Sequence, residues 1–321
     1  MRRAALAFVA LLLVVGLPVG LAPWFGWDNA PGPAQAFEVK RGASLSGVAR
    51  DLEKAGLVSS AGQFRLLAQL LGSDAPVQAG RYRLRPGTAW QAILGVLQKG
   101  DVERSTVTIP EGWPSVLVAE RLNAVKGLTG KVEVPAEGSI LPDTYEVKPG
   151  EDRAVVSKRM QTAMIRILDD LWPKRTARAV VKSRAEAVVL ASIVEKETGK
   201  ASERRTIAGV YSNRLRIGMK LDADPTVIYP ITQGRPLGRR IRRSELQRDT
   251  GYNTYLKPGL PKGPIANPGR DSIMAVLDPA ETDALYFVAD GSGGHVFAKT
   301  LAEQNANVAR WFALRRQRGE M

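Results

Sequence analysis

The sequence predicts an α+β protein with a single N-terminal transmembrane helix, a small β/α domain and a larger mixed α+β domain. Three observations predict it. Residues Ala4 to Phe25 form 22 consecutive positions without a charge. A strand, a turn and a helix then occur three times between residues 37 and 125. Beyond Pro149-Gly150 the texture changes to longer helices and loops rich in Gly, Pro, Asn and Tyr. A length of 321 residues also suits two domains of about 150 residues each.

The apolar run comes first. About 20 apolar residues cross a bilayer. Arg2 and Arg3 precede the run, which keeps them in the cytoplasm and exports the rest of the chain. The alternative is a cleaved signal peptide ending at Ala34-Gln35-Ala36, but the apolar core is longer than such peptides carry. The expected layout is a tip and anchor over 1–27, a linker over 28–36, a small domain over 37–137 and a larger domain over 138–321. The expected location is the inner (plasma) membrane, single-pass, with the larger domain on the extracytoplasmic side.

In the small domain, Val39-Lys-Arg-Gly42, Leu84-Arg-Pro-Gly87 and Ile109-Pro-Glu-Gly112 each end a strand and lead into a helix with Ser44, Thr88 or Ser115 at its start. This loose repeat resembles LysM-type glycan-binding modules; a plain spacer domain is the alternative. In the larger domain, residues 151–172 read as a helix with Val155, Met160, Met164, Ile165, Ile167 and Leu168 on its apolar side.

Composition removes several chemistries. There is no cysteine, so disulfides, thiol nucleophiles and cysteine-based zinc sites are out. His295 is the only histidine, and no Walker A pattern occurs. No metal and no cofactor are expected. The net charge of +14 would suit nucleic acid, but an exported chain does not meet it. The clusters at Arg81/Arg83/Arg85, Arg239/Arg240/Arg242/Arg243 and Arg310/Arg315/Arg316/Arg318 lack the interleaved aromatics of a stacking platform and read as solvated faces.

What remains is carboxylate, hydroxyl and amide chemistry. Residues 184–197 form a helix that is apolar almost all round from Ala187 to Val194, which predicts burial. It ends in Glu195-Lys196-Glu197. On a helical wheel Glu197 falls between Leu190 and Ile193, on the greasier side, and Glu195 falls between Ala191 and Val188. Desolvation there would raise the Glu197 carboxyl and keep a proton on it, as a general acid requires. The alternative is that one or both glutamates pair with Lys196, Arg204 or Arg205. A second helix, N-capped by Ser202, is predicted over 201–215.

Six segments then occur in order: Ser192-Ile-Val-Glu-Lys-Glu-Thr198, Asn213-Arg-Leu215, Asp224-Pro-Thr-Val-Ile-Tyr229, Tyr252-Asn-Thr-Tyr255, Gly259-Leu-Pro-Lys-Gly-Pro-Ile265, and Tyr286-Phe-Val-Ala-Asp-Gly291 with Gly294-His-Val-Phe297. Together they resemble the YceG-like family of endolytic lytic transglycosylases, over about residues 138–312. The resemblance implies cleavage of the MurNAc–GlcNAc β-1,4 bond of nascent peptidoglycan without water, leaving 1,6-anhydro-MurNAc ends and terminating strand growth. It implies a single catalytic carboxyl at the second glutamate, Glu197, and peptidoglycan synthases as partners. An attack by the sugar's own 6-hydroxyl removes the need for a second carboxylate. A water-using muramidase would need one, with Asp222 and Asp224 as candidates; a non-catalytic glycan-binding scaffold needs neither.

Glu195, Asn213, Asp224, Thr226, Tyr252, Asn253 and Thr254 stand as candidate saccharide contacts, since sugars require amides, hydroxyls and aromatic faces. A structural turn is the alternative for each, and His295 reads as structural. The sequence departs from the family at Ser139-Ile140, where aromatics are usual, and in the more basic segment Pro230–Arg243.

Overall fold

The computed structural model describes residues 17–26, 32–72, 75–100, 102 and 105–320. Most of the predicted membrane run therefore lies outside the described residues. Its last part forms α1 (Leu17–Phe25), with Pro23 inside it. Among the described residues, no helix is long and apolar enough to cross a membrane.

The chain divides into two units. The smaller comprises residues 1–105 and 146–150, and the larger 106–145 and 151–321. In the smaller unit the elements are β1 (Gln35–Val39), α2 (Leu45–Lys54), α3 (Ala61–Leu71), β2 (Gly80–Leu84) and α4 (Trp90–Lys99). β1 and β2 pair antiparallel with Phe37 opposite Tyr82. Alternation along both strands turns Phe37, Val39, Tyr82 and Leu84 inward. They meet Leu52, Phe64, Trp90, Ile93 and Leu97, and Trp24 of α1 joins this core. Phe64 and Trp90 meet edge-on at 5.9 Å.

The three strand–turn–helix segments are thus not three equivalent units. The first two strands pair with each other. The third, β3 (Ser105–Thr108), pairs with β4 (Thr144–Val147). Only Ser44 caps its helix with a side chain, accepting from Gly47 N. Ala89, not Thr88, stands at the start of α4, without a side-chain cap. Ser115 opens α5 (Ser115–Ala124) from inside, its hydroxyl donating to Ala136 O.

The larger unit continues with α6 (Arg153–Leu171), α7 (Arg184–Glu197), α8 (Arg204–Arg216), α9 (Asp224–Thr232), α10 (Arg243–Leu246), α11 (Arg270–Leu277), the hairpin β5 (Tyr286–Ala289) with β6 (His295–Ala298), and α12 (Leu301–Gln317). α7 is its axis: every residue from Ala187 to Val194 is buried. Leu190, Ile193, Ile207, Tyr211, Ile273 and Val276 build the core around it. Ser183 caps α7, accepting from Glu186 N. The α8 start differs from expectation. A short 3-10 turn over Ala201–Glu203 precedes it, and Ser202 provides no cap.

The division after Ser105 also differs from the predicted boundary at 137/138, and Asn267 shows why. This buried residue donates from Nδ2 to Trp113 O at 2.9 Å, Ser115 Oγ at 3.1 Å and Glu137 Oε1 at 3.2 Å, and its Oδ1 accepts from Ile140 N at 3.0 Å. Residues 113–140 therefore satisfy the polar groups of the larger core, and buried polar groups must be satisfied. On α6, Met160 and Met164 are buried as predicted, whereas Val155 and Ile165 are exposed.

Candidate active site

The site is built on the C-terminal end of α7. A helix end leaves carbonyls unpaired and places the last side chains at the rim of the core. Glu197 is the final helical residue and is partly accessible. Protein nevertheless crowds its carboxyl, and burial pushes it up to about 7. The Tyr211 hydroxyl donates a hydrogen bond that opposes this rise, the charge of Asp224 adds to it, and Arg214 offsets part of it. Tyr211 is itself buried and its hydroxyl is pushed far up, first by burial and then by the charge of Glu197. The arrangement holds a proton on Glu197 near neutral pH and has one fixed donor facing its charged form.

The other wall is the loop into α9. Asp222 has φ 48°, left-handed backbone that few non-glycine residues adopt. The turn is fastened by paired threonines: Thr226 Oγ1 and Thr254 Oγ1 lie 2.9 Å apart, Thr226 donates to Ala223 O at 2.6 Å, and Ala223 N donates to Thr254 Oγ1 at 3.1 Å. This lock fixes Asp224 at the first turn of α9. Tyr255 donates its hydroxyl to Asp224 Oδ1 at 2.7 Å. Arg214 is buried, with Nε on Leu285 O and Nη1 on Leu221 O, both at 2.6 Å. Burial raises the Asp222 carboxyl, with Arg214 and Lys220 opposing.

The candidate contacts predicted from sequence separate into two groups. Asp224 lies beside Glu197 electrostatically. Tyr252 is half-buried, with its ring 4.9 Å from that of Tyr229 and the Lys262 ammonium 4.7 Å from its centre. The others are occupied by protein. Asn213 Nδ2 donates to Thr282 O and Ala284 O. Asn253 Nδ2 donates to Leu246 O at 2.9 Å and Arg248 O at 3.1 Å, and its Oδ1 accepts from Tyr255 N. Thr226 and Thr254 hold each other. Glu195 accepts from Gly269 N at 2.9 Å and faces Arg204 at 3.8 Å. These five side chains shape the site through the backbone they hold.

Three residues of the site are ones that sequence reasoning passed over: Tyr211, Arg214 and Tyr255. Tyr211 lies just before the Asn213 segment, and only its position 14 residues past Glu197 on the adjoining helix hints at contact. A second carboxyl was missed as well. Glu137 is raised by burial, while Ser115 and Tyr229 donate hydrogen bonds that oppose the rise, and Tyr229 shares a hydrogen bond with Tyr252. His295 donates its backbone N–H to Glu203 Oε1 at 3.1 Å, and its Nδ1 lies 2.7 Å from Glu203 Oε2. Burial alone would raise Glu203, but these contacts take it below its usual range.

Known proteins share much of this sequence. A relative from Bacillus subtilis (strain 168), named endolytic murein transglycosylase, is 29% identical over 318 residues, covering 88% of this chain and 86% of its own length. A relative of the same name from Streptococcus pneumoniae (serotype 2, strain D39) is 28% identical over 84% of this chain, which spans 57% of that longer protein. The crystal structure of a yceG-like protein from Listeria monocytogenes superposes with a TM-score of 0.53 at 26% identity, covering 85% of this chain and 98% of that one. The profile of the YceG-like family matches residues 37–310. The chain belongs to the YceG-like family.

Proposed function

We propose that the protein is a membrane-anchored endolytic lytic transglycosylase acting on nascent peptidoglycan. The observation that carries this reading is the Glu197 carboxyl, held near a pKa of about 7 by burial and hydrogen-bonded by Tyr211. A pKa near the working pH suits one group that must give and then take a proton. Protonated Glu197 donates to the glycosidic oxygen between MurNAc and GlcNAc, and the C1–O bond breaks with its electron pair on the leaving sugar. The carboxylate that results, held by Tyr211, accepts the proton of the MurNAc 6-hydroxyl as that oxygen bonds to C1. The products are a 1,6-anhydro-MurNAc end and a free GlcNAc hydroxyl, with no water consumed.

The names of the relatives support the murein substrate and the transglycosylase class. Asp224 is engaged by Tyr255, which argues against its serving as the free base of a hydrolase. The uncharged run over 4–25 supports a single-pass anchor with the site outside the cytoplasm. Confined there, the enzyme meets new strands as they emerge and sets their length, with peptidoglycan synthases as partners and the LysM-like smaller unit against the glycan.

The test is mass spectrometry of products from uncrosslinked nascent strands, with the full chain beside Glu197→Gln. Anhydro ends from the parent and none from the variant are expected. Reducing ends instead would establish hydrolysis and direct attention to Asp222 and Asp224. No products, with glycan binding retained, would leave a scaffold.

A further inference from the structure

The outer face of α6 combines features that an ordinary solvated helix lacks. At about 100° per residue, Val155, Lys158, Arg159, Thr162, Ile165 and Arg166 share one side of it. Val155 is 57% and Ile165 55% exposed, and the three cations are exposed as well. Beside this face runs a groove of about 590 Å³, floored by Leu141, Ala163 and Ile167 and rimmed by Lys158, Arg159 and Arg166. Leu141 is held there by its N–H, 3.3 Å from Met160 O.

The charge balance of the groove is positive. Arg159 reaches Glu151 at 3.3 Å. Lys158 and Arg166 have no ion pair among the described residues. The acids at the far end of the helix are engaged elsewhere, Asp169 with Arg184 and Asp170 with Lys174. Cations alone would suit any hydrated polyanion. Two exposed branched aliphatics among them gain nothing from a hydrated polymer. They gain from an interface where acyl chains begin just beneath anionic headgroups.

We propose that this groove seats the phosphate headgroup of an anionic phospholipid, with Val155 and Ile165 against the glycerol and upper acyl region. The larger unit then rests by α6 on the bilayer surface. This contact is independent of the chemistry at Glu197.

Because the chain has no cysteine, Thr162→Cys introduces its sole thiol, and a polarity-sensitive dye attached there reports on the groove. The labelled full chain is placed in nanodiscs of phosphatidylcholine with or without phosphatidylglycerol, so that the N-terminal run meets a bilayer in both. A blue shift only in the anionic discs is expected. It should shrink with added salt and vanish in Lys158→Glu/Arg166→Glu. Thr162 donates to Lys158 O at 2.9 Å, so labelling at Ile165→Cys repeats the test without disturbing that bond. Equal emission in both discs would overturn the proposal. So would a shift produced in neutral discs by inorganic phosphate, which would make this a free-anion site, or by glycan strands, which would make it a polymer site.

Discussion

Glu195 and Glu197 stand two residues apart at the end of one helix, and their surroundings have little in common. The Glu195 side is a charge lattice. Arg204 lies within 3.8 Å of Glu195, 3.1 Å of Glu111 and 3.4 Å of Asp271, and Gly269 N donates to the Glu195 carboxylate. A Cβ on Gly269 would fall 1.9 Å from Glu111 Oε1, so a side chain there would push the Glu111 carboxylate aside. The Glu197 side offers a tyrosine hydroxyl and a second acid, with Arg214 turned to backbone carbonyls. One carboxylate is neutralised by a cation and fixed; the other is desolvated and keeps a proton. The Glu195 side chain is only 5% exposed, and its buried charge is met by Arg204.

The comparison predicts unequal responses to the same substitution. Glu197→Gln should lower the rate of anhydro-product formation by about 10³-fold or more, within the range of lost general acid–base catalysis, while Glu195→Gln should lower it less than about tenfold. Equal losses, measured by product chromatography, would break the distinction.

The next effect is on stability. The Glu197 carboxyl is raised from 4.5 to about 7 on folding, so the folded chain binds more protons than the unfolded one in that window. Its stability therefore falls as pH rises from about 4.5 to 7 and levels off above. Glu197→Gln removes this penalty and should be more stable than the parent at pH 8 by about 3 kcal/mol at most, with the gap closing near pH 4. Urea titrations at the two pH values measure it, and a gap independent of pH would mean that the carboxyl is not desolvated.

Glu195→Ala should destabilise by about 2 kcal/mol at neutral pH, because Arg204 loses one buried partner but keeps Glu111 and Asp271. The same denaturant titrations read this loss. The smallest effect belongs to Tyr211→Phe. Its hydrogen bond lowers the Glu197 pKa, so the alkaline limb of the pH–rate profile should move upward. A downward or absent shift would show that the hydroxyl does not face the charged form.

Much of this was legible in the sequence. Helix 184–197 reads directly from its apolar run, and the wheel places Glu197 on the greasier side. The polar segments at 224–229 and 252–255 were visible as well. Their jobs were not, because an asparagine that donates to Leu246 and Arg248 carbonyls looks the same in sequence as one that binds sugar. Tyr211 was hidden because a tyrosine inside an amphipathic helix reads as core, which it also is. The boundary after Ser105 was hidden because it depends on Asn267, more than 120 residues from each of its partners at Ser115, Glu137 and Ile140.

Asn267 also imposes an order of assembly. Synthesis runs from the N-terminus, so the strands and helices between residues 35 and 99 are complete while residue 267 does not yet exist. The smaller core can close at once. Trp113, Ser115 and Glu137 emerge early and wait for a partner made at least 130 residues later. Contacts of such sequence separation form slowly. The larger unit is therefore the late-folding part of the chain, and the Glu197 site takes shape only after the C-terminal half has arrived.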